Sequence, residues 1–304
     1  MAELSLDDLM FRPGLMRGQR ILITGGGTGL GKVMAEACLI LGAEVYICGR
    51  RGGVVEATAA ELNAAHAAAS GGKVTGIACD IRVPEAIAEM VDTVWAEGPL
   101  TGLVNNAAGN FISRTKDLSP RAFDAIANIV FRGSFFVTLE CGKRWLAEGT
   151  AHRSVISILT TWVWNGSPFV VPSAMSKAGL NAMTQSLAVE WAPAGVRFNA
   201  IAPGPFPTEG MSARLNPGEN AYGDMRANPM GRVGKMEELA NMAAYLLDPG
   251  SAYVNGQTIA IDGGAYLATG GNFSGLAAWG DSQWVAAREA IQATNAKDRA
   301  ARTV

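Results

Sequence analysis

The sequence predicts a single doubly wound α/β domain built on a seven-stranded parallel sheet. Short apolar runs rich in β-branched residues alternate with longer alanine-rich or amphipathic segments from Arg20 onward, and this alternation is typical of parallel strands joined by crossover helices. A glycine-rich turn, residues 24–31, follows the first apolar run and opens the first helical segment, as in dinucleotide-binding folds of this class. The composition suits a large core, since 49% of the 304 residues are hydrophobic and 17% are charged.

The elements follow one another in regular order. The apolar runs predict strands at Ile21–Thr24, Glu44–Cys48, Val74–Cys79, Leu103–Asn105, Ser154–Ile158, Arg197–Ala202 and Thr258–Ile261. The longer segments between them predict helices at about residues 29–42, 53–69, 84–97, 119–148, 173–193 and 236–248.

Three segments stand outside this alternation. Residues 203–235 combine prolines, glycines and methionines directly after a strand, and we expect a substrate lid there because ligands of doubly wound sheets bind where strands end. Residues 1–17 form an N-terminal arm. Residues 267–304 form a C-terminal extension whose helix, from about Asp281, docks on a neighbouring subunit or on its own body. The Rossmann-type domain itself spans residues 18–266, lid included.

Charge and cysteine usage exclude several classes of partner. The net charge of −2 and the absence of any dense basic cluster argue against nucleic acid. The four cysteines contain no CxxC pair, and we interpret them as reduced and structural.

Other classes lack their usual residues. Only two histidines occur, neither at a metal-ligand spacing, so zinc hydrolysis and Ser-His-Asp chemistry are disfavoured and we predict no metal. The N-terminus shows no signal-peptide pattern, and we expect no apolar run of the roughly 20 residues that a membrane span needs. A cytoplasmic location is the default expectation.

The glycine-rich turn predicts a nucleotide cofactor. It reads Thr24-Gly25-Gly26-Gly27-Thr28-Gly29-Leu30-Gly31. Gly25 permits the tight turn, Gly29 lets the backbone approach a pyrophosphate at the helix N-terminus, and Gly31 lets the helix pack closely on the strand. Because a strand and a helix flank the turn correctly, cofactor binding is favoured over a plain loop.

The end of the second strand indicates which cofactor. Arg50 and Arg51 stand where an NAD enzyme places an acid for the ribose hydroxyls. Guanidinium groups pair with a 2′-phosphate instead, so NADP is favoured over NAD, although two solvated surface charges are the alternative. Asp80, with Ile81 beside it, closes the third strand; its carboxylate either accepts from the adenine amino group or caps the helix that begins near Pro84.

Four motifs carry a resemblance to a known family. The turn 24–31, the run Asn105-Asn106-Ala107-Ala108-Gly109, Lys177 and Pro203-Gly204-Pro205 occur in the order and spacing of the short-chain dehydrogenases/reductases. The runs NNAAGNFI, FVVPSAMSKAGLNAM and VRFNAIAPGP resemble the 2,4-dienoyl-CoA reductase branch, and the likeness covers nearly the whole chain from about Gly18. The resemblance implies cofactor contacts at Asn106, Ala107, Lys177, Pro203 and Gly204.

The same resemblance implies the substrate side of the site. Ser173 stands where the family's Tyr-x-x-x-Lys motif has its tyrosine, a loss that this branch shares, and Lys177 would hold the nicotinamide ribose. Asn110 and Phe111 match residues that meet the acyl thioester. Contacts to coenzyme A are implied at Arg82, Ser119 and Arg214, each of which, taken alone, would be read as a cap or a surface charge.

One position departs from that branch. The reductases carry a tyrosine seven residues before the phenylalanine of FVVPSA, and here that position is Trp162. A phenol with a pKa of about 10 can give and recover a proton, whereas an indole N–H only donates a hydrogen bond. Trp162 and Trp164 are therefore either hydrogen-bonding residues or aromatic walls of an apolar pocket.

The function predicted from these residues is NADPH-dependent reduction of an unsaturated acyl-CoA such as a 2,4-dienoyl-CoA. Asn110, with Trp162, would stabilise the thioester oxygen, and Lys177 and Ser173 would position the ribose. The alternatives are an alcohol or ketone oxidoreductase on another substrate and an NADP-binding sensor without turnover. The family likeness also suggests a homotetramer.

Overall fold

The computed structural model describes residues 4–208, 228–269, 276 and 278–301. Its centre is one sheet of seven parallel strands in the order β3-β2-β1-β4-β5-β6-β7, which confirms the predicted fold class. The strands are β1 (Arg20–Thr24), β2 (Glu44–Gly49), β3 (Lys73–Ala78), β4 (Gly102–Asn105), β5 (Arg153–Ile158), β6 (Val196–Pro203) and β7 (Thr258–Ile261). Each lies within one residue of its predicted bounds.

The central strands are apolar because helices cover both faces of the sheet. Alternate side chains of one strand enter different clusters, since successive residues of a strand point to opposite faces. Ile21 and Ile23 of β1 belong to one core cluster, and Leu22 belongs to the other. All six residues of β5 are buried, so the sheet itself separates two cores.

The helices form where the longer segments predicted them. In chain order they are α1 (Gly29–Ile40), α2 (Gly52–Leu62), α3 (Ala68–Ser70), α4 (Pro84–Ala96), α5 (Pro120–Ala127), α6 (Ser134–Glu148), α7 (Trp162–Asn165), α8 (Val171–Glu190), α9 (Met236–Leu247), α10 (Ala265–Ala268) and α11 (Asp281–Ala301). Two π-helical stretches, Asn63–Ala67 and Asn128–Gly133, join α2 to α3 and α5 to α6. The predicted helices 53–69 and 119–148 are therefore continuous but contain wider turns.

One helix of the described chain meets the length and hydropathy criteria that we expected no segment to meet. The continuous helix Pro120–Glu148 has 29 residues, and an 18-residue window of it has a mean hydropathy of 1.4, so by length and composition alone it could cross a bilayer. Val137, Cys141 and Trp145 on this helix are fully buried in the core beside the sheet. Packing against the sheet accounts for these three residues, whereas Phe123, Phe131 and Phe135 on the same helix are exposed.

The two ends of the described chain behave differently. The N-terminal arm packs on the domain, because Met10 N donates to Asn241 Oδ1 at 2.7 Å and Asn241 Nδ2 donates to Asp8 O at 2.9 Å. In α11 the side chains described between residues 281 and 293 are all exposed except that of Ala287. The arm is thus part of the domain, whereas most of α11 faces solvent.

Candidate active site

The candidate site lies at the carboxyl edge of the sheet. The strand order reverses between β1 and β4, which are hydrogen-bonded neighbours, and ligands of doubly wound sheets bind at this reversal. The glycine turn follows β1, the loop from Asn106 to Phe111 follows β4, and α7 follows β5. These three segments are the walls of the site.

The glycine turn is clamped to the loop after β4. Asn106 Nδ2 donates to Thr24 O at 2.9 Å and to Gly25 O at 3.2 Å. Thr24 Oγ1 in return accepts from the backbone N–H groups of Asn106 and Ala107, both at 3.0 Å. The predicted cofactor residues Asn106 and Ala107 therefore hold the turn in place.

Two glycines of the turn are required by this clamp. Gly25 has φ +66°, and a Cβ there would lie 2.9 Å from Ala107 Cα. A Cβ on Gly31 would lie 2.4 Å from Gly25 O and 2.5 Å from Asn106 Nδ2. The close contact predicted for Gly31 is thus with the turn and its clamp.

Gly29 differs from both, because an added Cβ would make only ordinary van der Waals contacts with the described residues. Its φ is +56°, and the atom nearest to an added Cβ is Thr208 Cγ2 at 3.6 Å. Thr28, the N-cap of α1, makes no side-chain capping bond to the first turn. Backbone N–H groups at a helix N-terminus with space before them fit a pyrophosphate.

The residues predicted for the adenosine end are close together. Arg50 and Arg51 follow β2 and are exposed. Asp80 forms an ion pair with Arg82, whose Nη2 lies 2.5 Å from Asp80 Oδ2, and this hydrogen bond lowers the pKa of the carboxyl. Asp80 does not cap the following helix, whose N-cap is Val83, so the capping alternative is wrong.

The side chain of Ile81 turns inward from this group. It is buried against the π-helical stretch, where a Cβ on Gly133 would lie 2.8 Å from Ile81 Cγ1. Only its backbone is therefore placed to reach a cofactor.

Lys177 is a buried cation. The residue is only 6% exposed to solvent. Its ammonium group donates a hydrogen bond to Ile158 O at the end of β5. Burial lowers the pKa of Lys177 to about 8. Ser173, one helical turn earlier on α8, is also buried. The surface-lysine alternative is thus excluded, and both side chains lie at the end of the sheet where the turn is.

The side-chain amide of Asn110 uses its oxygen within the loop and leaves its nitrogen as the available donor. Asn110 Oδ1 accepts from Phe111 N at 2.9 Å, and within the described chain Asn110 Nδ2 has no partner. Phe111 packs on a small apolar cluster that also contains Leu159 and Val163. This cluster brings the loop after β4 beside the segment after β5, so Asn110 lies near α7 with its hydrogen-bond donor available.

The segment around α7 is aromatic and strained at one residue. Trp162 opens α7 and is partly exposed. Trp164 stacks on Tyr266 of α10 with ring centroids 4.6 Å apart. Phe169 has φ +66°, and its carbonyl accepts from Ser113 N at 2.9 Å. Positive φ in a non-glycine residue is uncommon and concentrates at functional sites.

Three predicted residues contribute differently. Ser119 caps α5, since its Oγ accepts from Ala122 N at 3.2 Å. Gly204, directly after β6, packs closely on Asp262, because a Cβ added at Gly204 would lie 2.7 Å from Asp262 Cβ. Arg214 and most of the expected lid lie outside the described residues. Sequence reasoning missed Tyr266, because only the folded chain places α10 beside α7.

Comparisons with known proteins agree with this geometry. Residues 25–266 match the family model described as enoyl-(acyl carrier protein) reductase. An uncharacterized oxidoreductase of Caenorhabditis elegans is 43% identical over 94% of this chain and 92% of its own length. A probable 2,4-dienoyl-CoA reductase of the same organism, described as (3E)-enoyl-CoA-producing, is 40% identical over 96% of this chain and 95% of its own.

Solved structures share the fold. A citronellol catabolism dehydrogenase of Pseudomonas aeruginosa is 35% identical with a TM-score of 0.73, covering 85% of this chain and 99% of that one. A gluconate 5-dehydrogenase of Burkholderia cenocepacia, solved with NADP and tartrate, is 28% identical with a TM-score of 0.76, covering 83% and 97%. On the match of its motifs, its sheet and these relatives, the chain belongs to the short-chain dehydrogenase/reductase family of oxidoreductases.

Proposed function

We propose that the protein is an NADPH-dependent reductase of unsaturated acyl-CoA thioesters, with a 2,4-dienoyl-CoA as substrate. The observation that carries the proposal is the donor set of the site. Asn110 Nδ2 and the Trp162 indole offer hydrogen bonds and Lys177 offers a cation, but positions 162 and 173 hold no phenol. Such a set suits stabilisation of an oxyanion better than delivery of a proton to it.

The cofactor fits the described residues. Bound NADPH would supply the hydride. Gly29 and the N-terminus of α1 would hold the pyrophosphate. Among the described residues, no atom lies within 3.5 Å of a Cβ added at Gly29. Arg50 and Arg51 would pair with the 2′-phosphate, and Lys177 would hold the nicotinamide ribose.

The residues of this chain then act on the acyl group. As hydride reaches C5, the C4–C5 double bond is lost and the electron pair moves through the conjugated system to the thioester oxygen. Asn110 Nδ2 donates to that oxygen, with Trp162 as a second donor, and stabilises the dienolate. A proton from solvent adds to C2, which leaves a double bond between C3 and C4. The product is a 3-enoyl-CoA, the class of product for which the probable 2,4-dienoyl-CoA reductase of Caenorhabditis elegans is named.

Coenzyme A would be recognised by cations at the mouth of the site. Arg82 would exchange its ion pair with Asp80 for a phosphate of the substrate, and Arg214 in the expected lid would contribute a second charge. Ser119, at the start of α5, would contact the same moiety.

A ketone or alcohol oxidoreductase is the second candidate, favoured by the 35% identity to a citronellol catabolism dehydrogenase. Carbonyl reduction needs a proton on oxygen, and neither a serine nor an indole has a suitable pKa for that transfer. A cofactor-binding sensor without turnover is the third. The donor set favours the dienoyl thioester over both.

A homotetramer in the cytoplasm completes the proposal. Phe123, Phe131 and Phe135 are exposed on the helix Pro120–Glu148, and the last two line a shallow apolar depression with Ala127 and Arg132. An apolar strip of this kind is typical of a subunit interface.

The test is NADPH oxidation, followed at 340 nm, with 2,4-dienoyl-CoA, 2-enoyl-CoA, 3-oxoacyl-CoA and simple ketones in parallel. We expect turnover with the dienoyl thioester and a 3-enoyl product by mass spectrometry and NMR. Faster turnover with the oxoacyl or ketone substrates would transfer the assignment to the second candidate. Tight NADPH binding without turnover of any substrate would support the sensor.

A further inference from the structure

Two short helices at the carboxyl edge of the sheet are joined by an aromatic stack. The rings of Trp164 in α7 and Tyr266 in α10 lie 4.6 Å apart with an interplanar angle of 25°. The Asn165 side-chain amide lies 3.5 Å from the Thr269 hydroxyl, which adds a second contact between the same two segments. Because β6 lies between β5 and β7 in the sheet, this bridge crosses the carboxyl end of β6.

The backbone at Tyr266 is fixed by hydrogen bonds with neighbouring side chains. The Asp262 carboxylate accepts from Tyr266 N at 2.8 Å and from Gly264 N at 2.9 Å. Thr269 Oγ1 donates to Tyr266 O at 2.9 Å. These bonds hold the backbone at Tyr266, and the phenol ring itself is in contact with the Trp164 indole.

The outer side of this pair is an open apolar surface. Trp164 remains 43% exposed although Tyr266 covers one ring face. Leu267, the residue after Tyr266 in α10, is exposed as well. None of these side chains is charged, so the surface suits a hydrocarbon better than the amides and phosphates of coenzyme A.

We propose that the Trp164–Tyr266 pair is the wall against which the distal acyl chain lies and that it sets the preference for chain length. The inference rests on the proposed function. Lys177 donates to Ile158 O at the end of β5, the strand beside β6, whose carboxyl end the stack crosses. Val163, which lies between the two tryptophans in α7, packs on the same apolar cluster as Phe111. Carbons beyond C5 would therefore leave the reacting centre towards the stack. Trp164 contacts the chain, and Tyr266 acts through Trp164 as a positioning residue.

The experiment compares 2,4-hexadienoyl-CoA with 2,4-decadienoyl-CoA. In Trp164→Ala we expect kcat/KM for the ten-carbon substrate to fall by about tenfold, mainly through KM, because apolar contacts to a chain contribute on this scale. The six-carbon substrate should change by less than about twofold. Tyr266→Phe keeps the stack and should match the parent, whereas Tyr266→Ala should follow Trp164→Ala. Tyr253→Ala, a fully exposed tyrosine before β7, is the matched control.

A binding measurement separates this inference from the function on which it rests. Calorimetry with hexanoyl-CoA and decanoyl-CoA in the presence of NADP+ needs no turnover. Loss of the preference for the longer chain in Trp164→Ala, but not in Tyr266→Phe, supports the wall even if another acyl thioester is the true substrate. Equal effects on both chain lengths, or a change in kcat alone, would overturn it. Absence of dienoyl turnover in the parent would instead refute the proposed function.

Discussion

Alanine substitutions at Gly29 and Gly31 separate two uses of glycine in one turn. At Gly31 the new Cβ would lie 2.4 Å from Gly25 O and 2.5 Å from Asn106 Nδ2, atoms that the clamp holds in place. Overpacking of this kind destabilises the unliganded protein by about 1–3 kcal/mol. At Gly29 the only strain is φ +56°, for which alanine costs about 1–2 kcal/mol.

In the unliganded protein Gly31→Ala should be the more damaging substitution, but for NADPH binding we expect Gly29→Ala to be the more damaging one. At a concentration of 100 Kd, NADPH should stabilise the parent by about 2.7 kcal/mol. Gly29→Ala fills the space proposed for the pyrophosphate, so we expect nearly all of this gain to disappear. Gly31→Ala should keep part of the gain, since its methyl group points into the clamp.

Urea unfolding followed by circular dichroism, with and without NADPH, measures both quantities. Gly53→Ala is the matched control, because Gly53 lies in α2 and no atom of the described residues is within 4 Å of its added Cβ. This variant should be neutral or slightly stabilising. If Gly29→Ala retained the full NADPH-dependent gain, the phosphate assignment of the turn would be wrong.

Three further perturbations test the rest of the site. Replacing Arg50 and Arg51 together by alanine should weaken NADPH binding by about 10- to 100-fold and leave NADH binding nearly unchanged; equal losses for both nucleotides in titration calorimetry would contradict the assignment. Because the pKa of Lys177 is lowered from 10.5 to about 8, the unfolded chain binds more protons between these values and parental stability rises with pH there. Relative to Lys177→Met, the parent should gain about 2–3 kcal/mol from pH 7.5 to 10.5, and a pH-independent difference would count against the buried charge. Asn110→Ala should lower kcat by about 100-fold, whereas Trp162→Phe should lower it less and Trp162→Tyr should raise dienoyl turnover; an unaltered rate in Asn110→Ala would refute the oxyanion role.

The fold was predictable because its signals are local and repeated. Each strand of the sheet is a short apolar run, and some predicted helices have a proline in the first turn, as at Pro84 and Pro120. The parallel arrangement was predictable too, because strands that alternate with helices are joined by crossover connections and lie parallel. The π-helical stretch Asn128–Gly133 was not predictable, because a π turn leaves almost the same apolar periodicity as an α turn.

The site was predictable only in part, because the motif residues identify a reaction class but not their own contacts. The sequence predicted that Gly31 packs closely, but the folded chain shows that its neighbours are Gly25 O and the Asn106 amide. Asp80 and Arg82 were assigned to different ligands, yet they bind each other. Contacts between segments far apart in sequence, such as Trp164 with Tyr266, leave no local pattern.

The substitution at position 162 becomes intelligible once proton delivery and charge stabilisation are considered separately. A reductase that protonates carbon can take the proton from solvent, so the site needs to stabilise negative charge on oxygen for the lifetime of the dienolate. Asn110, whose oxygen is engaged by Phe111 N, is oriented to donate through Nδ2 and can fill that role beside a donor-only indole. A reductase that protonates oxygen has no such freedom, because it loses its acid when the phenol is lost. Trp162 is therefore tolerable for the dienoyl reaction and damaging for carbonyl reduction, and this asymmetry is why the departure from the family pattern favours the acyl thioester.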